Sequence, residues 1–532
     1  MNLTFERVDS LPRLAWCAEV RPGLDCRVIH GPWVEAHQEF FVEGAWDGPF
    51  AEGRFDESCL LMGSGGRTTT NGLLFCTASH TLERLHYLAL ESRLLISPSM
   101  VFILTMAGLR LDVRHVPYQV DLARMVKSLE HHVGSIPLEG GARLNLVYYR
   151  NLLVDPELNL TAMPKLEPPE FATFADYKHY LVQGLQAIAE NAADPHRHVK
   201  FSPVTTVSSG YDSAACAALS KEIGCRQALT FLTAWSQSRG DADRDDSGQA
   251  VGEALGLEVK TFSRLAYHAN AGFPEAEFVA CGDLGQDMPF SGMEKDFERR
   301  LVLIGTHGDV IWNRHFVPQG RNVVRKFMDG CSMIEFKARV GFVYVVPAFF
   351  GTMSHPSIYA INNSEEMRPW QVGGNYDRPI PRRIAEEAGV ERGLFGCHKN
   401  AVAVLLNRDE QLRLEMKPAS FANFEAFYLA NKHRRPWTVQ KLYDLMFALY
   451  VFYHAAAARI PLARRLPCPI PARFREPPGR SSFLVHWGFE LVRKRYESAA
   501  NSARGRPAGE GSSPKTAAVA GASPVSSSGT KN

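Results

Sequence analysis

The spacing of hydrophobic and polar positions changes near residue 165 of this 532-residue chain. Before that point, short apolar or alternating runs of strand length stand between turn-forming residues, at 37–46, 71–80 and 142–155. Two stretches, 82–90 and 120–132, have helical spacing instead. The pattern predicts an α+β sheet domain over residues 1–165.

A proline-rich boundary at 164–174 precedes a different pattern. Residues 174–193 have apolar positions at helical spacing, and Pro195 suits the end of that helix. Strand and helix signals then alternate, in the segments 199–207, 213–224, 227–235, 247–258 and 259–264. This alternation predicts βαβ units and a parallel sheet with helices on its faces, in a domain over 170–480. Residues 499–532 are rich in Ser, Gly, Ala and Pro, which predicts a disordered tail.

Composition and charge narrow the class of protein. Hydrophobic residues at 45% and charged residues at 22% are typical of a globular protein. The net charge of +2 gives no reason to expect nucleic acid or a membrane surface as partner. The cysteines are scattered, without a C-x-x-C pair, and the N-terminus lacks a secretory signal pattern, so a cytoplasmic location is expected. The apolar stretch 445–460 is too short to span a bilayer and is interpreted as a core helix, with membrane-surface contact as the alternative.

The candidate chemistry begins in the segment "VTTVSSGYDSAACAAL", residues 204–219. A strand that turns directly into a helix presents unpaired backbone N–H groups and the positive end of the helix dipole, which favour an anion. Gly210 allows close approach, and the hydroxyls of Ser208, Ser209 and Ser213 add donors. The carboxylate of Asp212 suits Mg²⁺, which bridges phosphate oxygens. The turn therefore predicts a cradle for a nucleotide polyphosphate, and a serine turn that caps a core helix is the alternative.

No Walker A loop occurs in the chain, and residues 208–213 resemble the S-G-G-x-D-S loop of the ATP pyrophosphatase (PP-loop) superfamily, with Ser209 in place of the first glycine. Further segments resemble asparagine synthetase-like enzymes. Asp245 and Asp246 match an acidic pair that follows the next strand, and residues 305–310 match a G-E-G-x-D-E turn. In that likeness Gly305 belongs to the nucleotide site, Asp309 binds Mg²⁺ with Asp212, and Lys399 is the lysine that enters the site.

The resemblance implies a parallel-sheet PP-loop synthetase domain of the adenine nucleotide alpha-hydrolase type. It also implies that an α+β glutaminase-like (Ntn-type) sandwich precedes it, because residues 63–100 are similar to the sandwich hairpins of that family. The nucleophilic cysteine of such a glutaminase follows the initiator methionine, whereas position 2 here is Asn2. We therefore expect no release of ammonia from glutamine. Thr306 and Val310 replace the two glutamates of the G-E-G-x-D-E turn, and His307 replaces its central glycine.

These features predict an ATP-dependent amide-forming ligase that uses ATP and Mg²⁺. It would adenylate the carboxylate of a small molecule or peptide, release pyrophosphate, and let an amine attack. Lys399 and His307 are the candidate catalytic residues, with His307 as a base. A catalytically lapsed nucleotide-binding scaffold of the same fold is the alternative, and a nucleic-acid-modifying enzyme is disfavoured by the charge balance. No nucleic acid and no membrane span are expected, and a homodimer stays open.

Overall fold

The computed structural model describes residues 2–23, 25–115, 118–123, 129, 132–235, 243–283, 285–318, 320–321, 333–396, 406, 409–432, 437–459, 468–471 and 480–504. Within them the chain is a mixed α/β protein with several sheets, one of them fully parallel. The coarse fold class predicted from the sequence is therefore confirmed.

Residues 2–164 supply the strands of two large sheets. The first sheet has the order β1-β3-β2-β9-β8-β11-β10 and the second has the order β13-β12-β7-β6-β5-β4. Their strands are β1 (Asn2–Arg7), β2 (Trp16–Arg21), β3 (Asp25–His30), β4 (Glu35–Ala36), β5 (Phe40–Ala45), β6 (Met62–Thr69), β7 (Gly72–Cys76), β8 (Leu85–Leu90), β9 (Arg93–Ser97), β10 (Ser135–Pro137), β11 (Arg143–Val147), β12 (Arg150–Val154) and β13 (Leu160–Pro164).

These two sheets pack face to face. One buried apolar cluster contains Trp16, Val28 and Ile96 from the first sheet together with Phe41 and Phe75 from the second. Trp16 contacts Phe41 edge-on, with 4.9 Å between the ring centroids. Most neighbouring strands in both sheets are antiparallel, and β1 pairs with β3 in parallel. The alternation of buried positions that predicted strands here thus builds a two-sheet core.

The parallel sheet is built from later strands in the order β18-β15-β14-β19-β20. Its members are β14 (Ser202–Thr206), β15 (Gln227–Phe231), β18 (Glu258–Phe262), β19 (Arg300–Leu303) and β20 (Val343–Val345). A separate antiparallel pair is formed by β16 (Thr233–Trp235) and β17 (Asp243–Asp245). Strand and helix alternate along this part of the chain, as predicted.

The α-helices of the described residues include long and short ones. They are α1 (Met100–Ala107), α2 (Tyr118–Ala123), α3 (Phe174–Ala193), α4 (Tyr211–Ser220), α5 (Gln249–Ala254), α6 (Glu275–Val279), α7 (Glu294–Phe297), α8 (Gly308–Ile311), α9 (Ile334–Val340), α10 (His355–Asn362), α11 (Pro379–Glu387), α12 (Asp409–Glu415), α13 (Pro418–Asn431), α14 (Trp437–Arg459), α15 (Leu484–Arg493) and α16 (Glu497–Arg504).

Helix α3 has the bounds that its apolar spacing predicted. Thr173 caps its N-terminus in a capping box with Asp176, in which each side chain bonds the backbone of the other residue. Tyr177, Leu181 and Leu185 are buried on one face. Local signals at both ends and an amphipathic face agree here, so the sequence alone was sufficient.

The predicted helix over 82–90 is wrong. Residues Leu85–Leu90 form β8, which pairs with β9 on one side and with β11 on the other. The leucines satisfy helical spacing and strand alternation equally well, and the ladder bonds to two neighbours decide for the strand. In the predicted helix over 120–132, residues up to Ala123 are helical, in α2, and most of the remainder lies outside the described residues.

Helix α14 corrects the interpretation of 445–460 as a core helix. The segment is helical, but apolar side chains along it are exposed, with Phe452 72% and Leu445 58% accessible. Within the described residues, no helix is long and apolar enough to cross a membrane. A segment that is apolar at nearly every position carries no periodicity that would show which face is covered.

The C-terminal boundary also differs from the prediction. Residues 499–504, assigned to the tail, belong to helix α16, and Ala499 and Ala500 are buried against the core. Their small apolar side chains fit a packed helix despite the tail-like composition around them. Residues 505–532 lie outside the described part of the chain.

Buried polar contacts join the early sheets to the parallel-sheet region. Lys337 on α9 lies between Glu43 of β5 and Glu83, with 2.8 Å from its Nζ to a carboxylate oxygen of each. Ser99, at the start of α1, donates a hydrogen bond to Glu335 on α9. One continuous apolar cluster includes residues from both regions. Helix α9 therefore connects the two-sheet core to the parallel sheet.

Candidate functional site

The parallel sheet changes its direction of winding beside β14. From β14 the chain continues outward to β15 and β18 on one side, and β19 and β20 lie on the other side. In an open α/β sheet, the connections that leave two such neighbouring strands run to opposite sides, which commonly leaves a crevice at the carboxyl ends of the strands. Ligands of open α/β sheets bind at such a switch point. The two best-defined motifs of the sequence, 208–213 and 305–310, follow these two strands directly.

The turn after β14 is held by its own hydroxyl groups. Ser213 Oγ accepts a bond from the backbone N–H of Ser208 at 3.0 Å and lies 2.7 Å from Ser208 Oγ. Ser208 Oγ accepts from the backbone N–H of Gly210 at 3.2 Å. Helix α4 begins directly afterwards, at Tyr211, with Asp212 in its first turn. The serines thus fix the shape of the turn, in addition to any contact with a ligand.

Two other segments anchor this turn from outside. Ser209 donates from its Oγ to a carboxylate oxygen of Asp246 at 2.5 Å, and its N–H donates to the Asp246 carbonyl at 3.1 Å. The carbonyl of Ser209 accepts from the N–H of Gly396 at 2.7 Å. Asp246 is thus a support of the turn, whereas Asp245 is exposed and bonds the N–H of Ser247.

The turn after β19 packs directly on the start of helix α4. A Cβ on Gly305 would lie 2.6 Å from the backbone nitrogen of Ser213, so only glycine fits this approach. A Cβ on Gly308 would lie 2.6 Å from the carboxyl carbon of Asp212. The structure therefore brings Asp212 next to the backbone that carries Asp309. Both aspartates are partly buried.

An arginine that sequence analysis did not select lies at this carboxylate pair. Arg378 is 3% exposed and forms an ion pair with Asp212 through its Nη1. Burial disfavours its charge, but the carboxylates of Asp212 and Asp309, together with Tyr376, outweigh burial and raise the pKa of Arg378 above its ordinary value. Arg378 therefore stays a cation beside both of the predicted metal ligands.

The loop that carries Arg378 is fixed by a buried carboxylate. Asp377 accepts hydrogen bonds from the backbone N–H groups of Val372 and Gly373, at 3.1 and 3.0 Å. Arg314, just after helix α8, pairs with the same carboxylate at 3.1 Å. These bonds tie the loop 372–378 to the segment that follows β19. The position of Arg378 is thus determined by the fold on both sides of the crevice.

The space beside Gly210 is lined by hydroxyl groups. The φ of Gly210, −81°, is available to any residue, so its backbone does not require glycine. A Cβ placed there would have three nearest neighbours, which are Ser208 Oγ at 3.3 Å, Tyr376 Oη at 3.7 Å and Ser213 Oγ at 3.9 Å. Burial raises the pKa of Tyr376, so its hydroxyl keeps its proton and can donate. Glycine therefore leaves a space of about the size of one methyl group, bordered by hydroxyl oxygens, beside the turn.

His307 lies in the same turn but faces an aromatic neighbour. It is 5% exposed, and its ring stacks on Phe349 with 4.0 Å between centroids and 7° between the planes. Its φ is +74°, in the left-handed region that favours glycine. The structure gives His307 a packing role, and its part as a base stays a prediction.

Lys399 lies outside the described residues, so its predicted entry into the site is untested. The chain nevertheless reaches the turn three positions earlier, at Gly396. A Cβ on Gly396 would lie 2.4 Å from the ring of Tyr211, and Arg382 bonds the hydroxyl of that tyrosine. The segment that precedes Lys399 thus packs against the start of helix α4.

The donor set fits magnesium that arrives with a nucleotide. Within the described residues, no group of three or more His, Cys, Asp or Glu side chains is placed to hold a metal ion by itself. Magnesium in nucleotide sites is typically held by one or two carboxylates, with phosphate oxygens and water as the other ligands. Asp212 and Asp309 match that number, and the hydroxyl-lined space beside Gly210 suits phosphate oxygens.

Sequence reasoning found the two turns and missed Arg378 and Tyr376. Both precede the proline that opens helix α11, a place where a chain commonly leaves a loop. Nothing in their local spacing distinguishes them from the other basic and aromatic residues. Their contact with residues more than 160 positions earlier is a property of the tertiary fold.

No protein-family model matches this chain, and no curated protein matches it either. The chemistry of the site is therefore defined by its own residues. These are two carboxylates and a guanidinium beside a hydroxyl-lined turn, at the carboxyl edge of a parallel sheet.

Proposed function

We propose that the chain is an ATP-dependent ligase that forms an amide bond and releases AMP and pyrophosphate. In this proposal the parallel-sheet region is a PP-loop synthetase domain, and the two-sheet region is a glutaminase-like sandwich. The observation that carries the proposal is the meeting of the turns 208–213 and 305–309 at the switch point of the sheet. The two segments are about ninety residues apart in sequence, and each resembles a nucleotide-site motif of the same superfamily.

Each residue of the site has a chemical task in this proposal. The start of helix α4 and the hydroxyls of Ser208, Ser213 and Tyr376 would bind the β- and γ-phosphates, because helix N-termini and hydroxyl donors favour oxyanions. Asp212 and Asp309 would hold magnesium, which neutralises charge on the departing pyrophosphate when it is bound. Lys399 is proposed to approach the same phosphates from the segment after Gly396. Such positioned donors act where charge develops in the transition state.

The substrate in this proposal is a carboxylic acid, with an amine as second substrate. The carboxylate oxygen attacks the α-phosphorus of ATP, and the bond from that phosphorus to the bridging oxygen of pyrophosphate breaks. The amine nitrogen then attacks the acyl carbon, AMP leaves with the electrons of the carbon–oxygen bond, and a base removes the extra proton of the nitrogen. His307 is the candidate for that base, although its ring is stacked on Phe349. In this proposal the amine comes from solution.

A nucleotide-binding scaffold without turnover is the second candidate. Val310, which replaces a glutamate of the motif, is buried as part of the apolar core, and Thr306 contacts the hydroxyl of Tyr344 at 3.4 Å. Neither position offers a second acid at the turn. The ion pair of Arg378 with Asp212 also lies where a metal ligand is proposed. These observations favour a protein that binds a nucleotide but lacks the acidic residues needed for turnover.

Product analysis separates the two candidates. ATP labelled at the α-phosphate is incubated with the protein, Mg²⁺ and extracts or candidate acids of its native host. The ligase yields labelled AMP, and Asp309→Asn lowers its rate about 10²–10³-fold while it folds normally, because a transition-state contact is lost. Arg368→Ala, which removes an exposed charge paired with Glu365, is the control. Labelled ADP overturns the ligase, and ATP binding with no turnover in any mixture supports the scaffold.

A further inference from the structure

The guanidinium of Arg378 is incompletely bonded although it is buried. Its Nη1 pairs with Asp212, while its Nε has no hydrogen-bond partner among the residues that the structure describes. An unpaired donor in a residue that is 3% exposed costs free energy comparable to a lost hydrogen bond. Arginine presents five N–H donors in a planar fork that suits the oxygens of phosphate. The missing partner is therefore expected to be an oxyanion.

The surroundings of Arg378 show where that oxyanion would lie. Its guanidinium lies over the ring of Tyr376, with 5.0 Å to the ring centroid. The hydroxyl of Tyr376 borders the space beside Gly210, and its ring lies 4.8 Å from the ring of Tyr211 at the start of helix α4. The same arginine interacts with Asp212 and Asp309. Arg378 thus contacts Asp212 and also the ring of the tyrosine whose hydroxyl borders the turn.

We propose that Arg378 is a ligand of the nucleotide triphosphate and, before the nucleotide binds, the counter-ion of Asp212 and Asp309. Without a metal, two carboxylates that share a partly buried crevice repel each other, and the guanidinium offsets that repulsion. With a metal–triphosphate complex, Asp212 and Asp309 would hold the metal, and Arg378 would donate to a phosphate oxygen. This inference rests on the proposed nucleotide function and adds to it a residue that exchanges partners.

The exchange predicts opposite effects on two ligands, which a purely structural arginine would not produce. Binding of ATP to Arg378→Ala should weaken about 10- to 100-fold, the range for a hydrogen bond to a charged group. Binding of Mn²⁺ alone should become tighter than in the wild type, because the competing cation is gone. Calorimetry measures the first, and the electron paramagnetic resonance signal of free Mn²⁺ measures the second. Arg368→Ala removes the same charge at an exposed position and should change neither.

The outcomes separate failure of this inference from failure of the proposed function. A wild type that binds no ATP, with or without Mg²⁺, overturns the proposed function and the phosphate contact of Arg378 with it. A wild type that binds ATP, together with an Arg378→Ala that binds both ligands unchanged or loses both, overturns the role of Arg378 alone. If Arg378→Ala does not fold, Arg378→Lys replaces it. Lysine keeps the charge but lacks the fork, so weaker ATP binding with unchanged Mn²⁺ binding supports the proposal, and unchanged ATP binding overturns it.

Discussion

Two charge clusters among the described residues have the same composition, two carboxylates and one cation, but different surroundings. Lys337 lies between Glu43 and Glu83 where α9 meets the early sheets, and Arg378 lies beside Asp212 and Asp309 at the switch point of the parallel sheet. The same set of charges thus occurs where helix α9 meets the early sheets and at the carboxyl edge of the parallel sheet.

The two clusters differ in how deeply their carboxylates are buried. Glu43 and Glu83 are buried, and the ammonium of Lys337 lies 2.8 Å from an oxygen of each. Glu43 also accepts from Ser64, although its Oε2 makes no hydrogen bond among the described residues. At the crevice, the aspartates are partly buried and the Nε of Arg378 is unpartnered among the described residues. A buried cluster whose charged groups pair with one another is typical of a structural role. A partly exposed cluster with an unpartnered donor is typical of a ligand site.

Removing the lysine should have the largest effect. Lys337→Met leaves two carboxylates buried without a cation, which we expect to cost about 3–5 kcal/mol of unfolding free energy. Urea denaturation measures it. The matched variant combines Lys337→Met with Glu43→Gln and Glu83→Gln. It should recover most of the loss, because no charge remains in this cluster. A loss below about 1 kcal/mol in the single variant would show that the cluster is hydrated in solution.

Glu43 should make stability depend on pH. Burial raises the pKa of Glu43 to about 7, Lys337 opposes this, and Glu83 adds to it. A carboxyl whose folded-state pKa is raised stabilises fully below its unfolded value, near 4.5, and the stability is lost as pH rises through about 7. One proton gives a slope of at most about 1.4 kcal/mol per pH unit. Glu43→Gln should flatten the curve over this window, and an unchanged slope would assign the titration to another group.

Removing the arginine should cost less than removing the lysine. In Arg378→Met the remaining aspartates are partly exposed and can be hydrated, so we expect a loss of about 1–2 kcal/mol. The same urea assay as for Lys337→Met gives a direct comparison. Equal losses in the two variants would mean that Asp212 and Asp309 are as shielded from water as Glu43 and Glu83.

The open space at the crevice should respond to a single methyl group. Gly210→Ala fits the backbone, whose φ is −81°, but fills the space among three hydroxyl oxygens. We expect ATP affinity to fall about tenfold, equivalent to ~1.4 kcal/mol, with little change in unfolding free energy. Calorimetry and denaturation are compared on one preparation. Unchanged ATP affinity would show that the phosphates of ATP do not bind beside Gly210.

The smallest effect is expected on a surface outside both clusters. Phe452 on α14 is 72% exposed, so Phe452→Ser should change the unfolding free energy by less than about 0.5 kcal/mol. Denaturation of dilute protein tests it, with the buried Phe424→Ser as a costly counterpart. A large loss for Phe452→Ser would show that another part of the protein, or a second copy, covers this helix in solution.

Local signals explain what could be predicted from the sequence. The helix Phe174–Ala193 carries its own cap and its own apolar face, and the turns at 208–213 and 305–309 follow strands whose apolar runs identify them. Each feature is encoded within about twenty residues. The alternation of strands and helices after residue 199 likewise predicted a parallel sheet, which the structure contains.

The tertiary structure decided what depends on distant partners. Leu85–Leu90 became a strand because β9 and β11 lie beside it, and the apolar helix α14 has exposed side chains although its sequence suggested a core position. Arg378 reaches Asp212 across 166 positions of sequence, and Lys337 reaches Glu83 across 254. Charge pairing and burial depend on which surfaces meet, and no local period of the sequence records that.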